Sequence, residues 1–150
     1  REIEDPEECL AILREGKYTT IAQCRDGEPY VVTMNYGYDL ERHSLFFHCA
    51  KTGHKLDIIA RNPAVCATIV NDLGYVDGEC EHKYQSLVIR GRMTVVEDLE
   101  TKKRGIDILI EHQESDAGPV RERNLGSDAD YDKFLMLEIS IDDMTGKQSL

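Results

Sequence analysis

Apolar and polar positions recur along this chain with two different periods, and each change of period marks an element. Asp5-Pro6-Glu7-Glu8 is written as a helix start. Asp5 can cap, Pro6 suits the first helical position, and Glu8 stands three residues after Asp5, as in a capping box. Cys9, Ile12 and Leu13 then fall on one helical face, and Gly16 ends the run. From Lys17 the period shortens to two. KYTTIAQC is rich in β-formers, and Asp26-Gly27 is a hairpin signal. PYVVTMNYGY resumes the strand, with Tyr30, Val32, Met34 and Tyr36 on one face and Val31, Thr33 and Asn35 on the other. The polar turn DLERHS leads to a third strand, SLFFHCA, and these three are expected to form an antiparallel meander.

A short helix is predicted from Gly53 or His54 to Asn62, with Leu56, Ile59 and Ala60 on its inner face and Asn62-Pro63 as its stop. AVCATIV is apolar on both faces and predicts a strand buried on both sides. LGYVDGECEHK reads as an acidic loop. YQSLVIRGRMTVVED is the longest strand candidate. Leu87, Ile89, Met93 and Val95 lie to one side, Arg90 and Arg92 to the other, and Gly91 marks a bulge or a close backbone approach. LETKKRGIDILIEHQ predicts an amphipathic helix with Leu99, Ile106, Leu109 and Ile110 inward, weakened by Gly105. The polar stretch 114–133 is long for a bare connection, so it is expected to be a lid, an arm onto a partner, or poorly ordered. FLMLEISIDDM closes the chain as a strand. Six strands with three helices in this order disfavour a doubly wound parallel sheet. They predict one domain over 1–150, a mainly β antiparallel barrel decorated with α-helices.

Composition narrows the partners. The chain carries 29 acidic against 18 basic residues, a net charge of −11, which argues against a nucleic-acid backbone as the main ligand. A small phosphorylated ligand remains open, because one Lys and a few amides suffice for it. No apolar run approaches the ~20 residues a membrane helix needs. The sequence opens at Arg1 without a Met, leaving room for missing residues, a tag or a processed leader, and no signal-like segment is visible. Five cysteines at wide spacing with no CxxC predict free thiols in a reducing cytoplasm.

The stretch FHCAKTGHKLDII concentrates the candidate chemistry. His48, Cys49 and His54 are metal-ligand types, as are Cys80 and His82. Consecutive strand residues point to opposite faces, however, so His48 and Cys49 cannot grip one ion together, and no metal site is expected. AKTGHK resembles a nucleotide-binding loop but fails GxxxxGK[ST], since Leu56 stands where Ser or Thr should. The physical ingredients of an anion site remain: a helix start, Gly53 and Lys55. On spacing alone, that reading and a plain surface lysine beside a turn glycine are equal alternatives. With no GxSxG, and with Ser86 an ordinary strand serine, covalent catalysis has no support.

Taken in order, the leading helix, PYVVTMNYGYD, the strand ending FHCA, GHKLDIIARNPAVC, YQSLVIRGRMTVVED and LEISIDDMTGKQ resemble the pyridoxamine-phosphate-oxidase-like FMN-binding split barrels. Within them the likeness is to the nitroimidazole-resistance branch, and it spans about residues 5–147. The resemblance implies a six-stranded split β-barrel that forms a homodimer, with FMN in a groove between subunits and the 114–133 stretch as a cross-dimer arm. It places Gly53, His54 and Lys55 at the FMN phosphate. Gln85 and Ser86 would reach the phosphate or ribityl chain. Thr33, Met34, Asn35 and Tyr36 would lie along the isoalloxazine ring, and His48, Cys49 and Ala50 beside the flavin. For Met34 and Tyr36 the alternative is core or dimer packing. For His48 it is a satisfied polar residue at a strand end. The C-terminus, SIDDMTGKQSL, lacks the arginine-rich substrate site of the oxidases proper, which speaks against pyridoxamine phosphate as substrate. The expected function is an oxidoreductase passing electrons from FMN to a small nitroaromatic or quinone-like acceptor, with His48 as the one candidate catalytic side chain. A non-catalytic flavin carrier or sensor, and a haem or deazaflavin binder with His48 or His82 as axial ligand, are the alternatives.

Overall fold

A computed structural model describes all residues from Arg1 to Leu150. Asp5 caps the first helix, α1 (Pro6–Glu15), by accepting from the Glu7 amide, and Cys9, Ile12 and Leu13 form its buried face. All the strands belong to one antiparallel sheet: β1 (Glu2–Ile3), β2 (Tyr18–Arg25), β3 (Glu28–Asn35), β4 (Gly37–Asp39), β5 (Ser44–Cys49), β6 (Ala64–Val76), β7 (Glu81–Val95) and β8 (Leu135–Ser149). The count is eight rather than the expected six, because a short β1 pairs with β8 and the second predicted strand is broken in two. Helices α2 (His54–Arg61), α3 (Leu99–Gln113) and α4 (Gly118–Asn124) fill the connections, and α4 is followed by a 3-10 helix over Asp128–Lys133.

The strand path runs β3-β2-β6-β7-β8-β5-β4. Only Tyr36 separates the end of β3 from the start of β4, yet these strands terminate the path at opposite ends. The sheet must therefore roll until its two ends meet, while β3 and β4 stay unpaired. This is a split barrel: both pairings of the expected meander form, β2 with β3 and β4 with β5, but the break at Tyr36 carries them to opposite ends of the path, and β5 also pairs with β8. The break falls at Tyr36 because its fully buried ring turns inward and its hydroxyl donates to the Leu13 carbonyl at 2.7 Å.

Ile21, Leu45, Phe47, Ile69, Leu87, Ile89, Met93, Leu137 and Ile139 fill the barrel, with Ile12 and Leu13 of α1 among them. Phe46 and Met136 point the other way and are covered by Ile106, Leu109 and Ile110 of α3. The strand buried on both faces is thus β5. In β6, expected to be so, Val65, Ala67 and Ile69 are buried but Val70 is 53% exposed. Val95 and Leu99, expected inward, are also exposed. In α2, Ile58 rather than Ala60 joins Ile59 inside. The predicted acidic loop is instead the end of a long β6–β7 hairpin that pairs as far as Val76 and Glu81, with a register shift between Asp72 and Gly74. Gly91 sits at a register shift between β7 and β8, where a Cβ would lie 2.2 Å from the Ser140 carbonyl oxygen, so close approach of backbones does require glycine there. The 114–133 stretch is neither bare loop nor an arm clear of its own chain. It packs Val120, Leu125 and Tyr131, with the following Phe134, against the α3 cluster.

Half-buried His112 ties α3 to the turn between α1 and β2 and to β4. Its Nε2 lies 2.6 Å from the Gly16 carbonyl, and its Nδ1 faces the Tyr38 amide at 3.4 Å. Only the neutral ring with the proton on Nε2 satisfies both partners. Burial lowers its pKa against the opposing pull of the Gly16 carbonyl, and Lys17 lowers it further. The folded state therefore holds this proton less tightly than the unfolded chain. The stabilisation is complete above the ordinary value of about 6.5 and drains away as pH falls from there toward the lowered folded value. Urea midpoints at pH 7.5 and 5.5 check this: the wild type should lose more stability between them than His112→Gln does. Equal losses would rule His112 out as the group responsible.

Candidate functional site

The start of α2 leaves donors unused. Gly53 occupies the cap position at φ 154° and ψ 162°, a conformation that glycine alone adopts readily, and no side chain caps the helix. The Leu56 and Asp57 amides bond to the Gly53 carbonyl, whereas those of His54 and Lys55 have no backbone partner. A Cβ on Gly53 would meet nothing closer than Lys55 Nζ, 3.9 Å away, and that ammonium makes no ion pair. Two free amides, a helix dipole and an unneutralised cation thus face an open glycine, a donor set suited to a phosphate monoester. Neighbours hold this turn in place. The His54 ring stands edge-on to Tyr30 of β3 at 4.8 Å. Gln23, only 2% exposed, donates from Nε2 to the Lys55 carbonyl at 3.0 Å. Its Oε1 is the one buried side-chain polar atom left without a partner. Sequence reasoning missed Gln23, although the alternation Thr19, Ile21, Gln23 had put a polar side chain on an inward face.

The other candidates divide into those a ligand can reach and those it cannot. β3 ends the sheet path, so one edge of its backbone has no strand partner. Thr33 is exposed and pairs through its hydroxyl with Thr20 at 2.9 Å. Asn35 is exposed and donates to the Lys17 carbonyl and to Gln113 Oε1. Met34 is half-buried against the barrel core. Tyr36 offers backbone only, since its side chain is wholly inside and burial pushes its phenol up. At the end of β5, His48 and Ala50 are exposed, while the Cys49 thiol points inward. Burial raises that thiol's pKa, and the nearby Lys55 charge opposes the rise. His48 makes no hydrogen bond and meets Phe134 edge-on at 6.3 Å.

Gln85 and Ser86 are not brought to Lys55 within one chain. Ser86 pairs with Val70, midway along β6, whereas α2 leads into the start of β6 at Ala64. Six residues of strand, ~20 Å, separate the two positions. Gln85 is engaged with Asn71 and Gln148, and Ser86 is 8% exposed. Of the metal-ligand types, His82 bonds Asp72 at 2.7 Å, and no group of three His, Cys, Asp or Glu converges on a common point. All five cysteines are unpaired. No helix is long and apolar enough to cross a membrane.

Known proteins bear on this geometry. Residues 5–148 match the family model described as pyridoxamine 5'-phosphate oxidase. Among solved structures, one named for 5-nitroimidazole antibiotic resistance, from Bacteroides thetaiotaomicron VPI-5482, is similar at a TM-score of 0.80 and 28% identity. That match covers 97% of this chain and 85% of the other. An FAD-binding protein from Mesorhizobium loti is similar at TM-score 0.71 and 21% identity, over 100% of this chain and 98% of the other. A protein from Mycobacterium smegmatis that binds FAD and haem is similar at TM-score 0.79 and 19% identity, over 99% and 73%. The last two likenesses establish the fold alone. An uncharacterized protein of Rhizobium meliloti (strain 1021) is 29% identical over 86 residues, 57% of this chain, and the match spans about half (51%) of that protein's length. With the family model matched over nearly its whole length and the split barrel shared with these structures, the chain belongs to the pyridoxamine 5'-phosphate oxidase family.

Proposed function

We propose that the protein binds FMN and passes electrons from it to a small organic acceptor. One observation carries the reading: the uncapped start of α2, where the His54 and Lys55 amides and the Lys55 ammonium surround Gly53 without any protein partner. That site suits one terminal phosphate. The unpaired edge of β3 at Thr33 to Tyr36 would hold the ring through backbone groups. His48, free of hydrogen bonds and exposed, would orient the acceptor or hold a proton for it. Bound flavin supplies the electron chemistry, and the protein supplies position.

The site is completed by a second copy of the chain. Gln85 and Ser86 can approach the Lys55 end only from another subunit, given their separation along β6. The outward face of β2, β3 and β6 suits such a contact. Ala22, Val31, Thr33, Cys66 and Thr68 lie across it in register without a charge, and Val31 is 58% exposed. Five free thiols fit a cytoplasmic home.

The deciding experiment is the absorption spectrum of protein purified without added cofactor, followed by chromatography of the heat-released ligand. Flavin bands, released FMN and a solution mass of twice 17.1 kDa are expected. A haem spectrum, released FAD, or a monomer carrying full flavin would overturn the proposal. Turnover of a nitroaromatic or quinone then separates the enzyme from a flavin carrier.

A further inference from the structure

A second recess lies away from the α2 cradle. It is a cleft of about 720 Å³ between α3 and the segment that follows it, and none of Gly53, His54, Lys55, Gln85 and Ser86 lines it. Ile106, Leu109 and Ile110 form its floor, and Val120, Leu125 and Phe134 its opposite wall. That wall is pinned. Lys102 donates to the Tyr131 and Phe134 carbonyls, and Lys103 pairs with Asp128. Arg121 bridges Asp107 and Glu111. The cleft is therefore preformed, of a size suited to a small organic ligand, and mostly apolar.

Its polar groups select further. Asn35 and Gln113 spend their amides on the Lys17 and Tyr36 carbonyls, and Lys133 is held by Asp130. Arg123 and Glu114, one of each sign, line the cleft without partners, so its lining has no net charge to attract an ion. His48 remains, with both ring nitrogens unbonded beside Phe134. We infer that this cleft binds an uncharged, largely apolar aromatic molecule carrying a hydrogen-bonding oxygen at one end, with that oxygen directed to His48. That the occupant is the flavin's reaction partner rests on the proposed function, because Asn35 and His48 belong both to the cleft and to the proposed flavin edge.

The test uses the protein as purified and two probes of the same shape, neutral 4-methylacetophenone and anionic 4-acetylbenzoate, neither of which takes electrons from oxidised flavin. Saturable binding of the neutral probe by calorimetry is expected, with the anion no tighter. Val120→Trp, on a half-buried helix position, should weaken it at least tenfold with no change in flavin content. Should that variant fold poorly, methyl NMR on the wild type gives the same answer, through neutral-probe shifts at Val120, Leu109 and Leu125. The inference is overturned by absence of saturable binding, by preference for the anion, by shifts confined to other methyls, or by loss of flavin in a folded Val120→Trp. A protein that proves flavin-free yet binds the neutral probe would retain the cleft and overturn the proposed function alone.

Discussion

Lys55→Ala is expected to weaken FMN binding roughly ten- to hundredfold, because a hydrogen bond to a charged group contributes about 1.5–3 kcal/mol and each decade of affinity is about 1.4 kcal/mol. The substitution removes the one full positive charge at the open face of Gly53 and leaves the helix amides in place. Fold stability should barely change, since Lys55 makes no ion pair and its backbone bond to Gln23 survives. Fluorescence titration of flavin against wild type and variant measures the ratio. Lys55→Arg should recover most of the loss, whereas a folded Lys55→Ala that binds FMN as the wild type does would remove the cradle from α2. The chain's overall acidity does not tell against the proposed cradle. The field that matters to a bound phosphate is that of a few groups within a Debye length, about 8–10 Å, and not the net charge.

The parts of this arrangement that were legible in the sequence are those with local causes. Asp5 and Pro6 announce α1, the apolar spacing announces α3, and the isolated Gly91 in a long strand marks a bulge or close backbone approach. The start of α2 was legible for the same reason: a glycine, a stop at Asn62-Pro63 and a cation in the first turn act within a few residues. What was hidden depends on distant partners. PYVVTMNYGY alternates without interruption, and nothing local says that Tyr36 will reach Leu13 and break it. The acidic hairpin tip hid its strands because β6 and β7 satisfy each other's backbone there, whatever their side chains. In the 114–133 stretch a few apolar residues are scattered among many charges. Only α3, laid alongside, shows that Val120 and Leu125 share one wall. The separation of Gln85 and Ser86 from Lys55 was hidden for a related reason, since it depends on which residues of β6 and β7 pair.

Gly37→Ala should be the most damaging single methyl in the protein's split. A Cβ there would stand 2.6 Å from both the Cα and the N of Leu109 and 2.8 Å from the carbonyl carbon of Ile108, all main-chain atoms of α3. No rotamer relieves such a contact, so α3 must lift from β4 or β4 must leave β5. The cost belongs at the upper end of overpacking, about 3 kcal/mol. For a chain of this size that lowers the melting temperature by roughly 6–12 °C. Gly105, on the helix side of the same packing, gives the control. Its Cβ would meet side-chain atoms of Phe46 and Met136, at 2.7 and 3.1 Å, which can turn at lower cost. Thermal melts should therefore rank Gly37→Ala below Gly105→Ala, and the reverse order would mean that α3 does not rest on β4 by its backbone. The displacement also has a functional reading. Leu109 is part of the cleft floor, and the Tyr38 amide that faces His112 belongs to β4. α2 rests instead on β2. In the folded fraction, Gly37→Ala should weaken binding in the α3 cleft more than it weakens flavin binding, whose proposed phosphate cradle lies on α2.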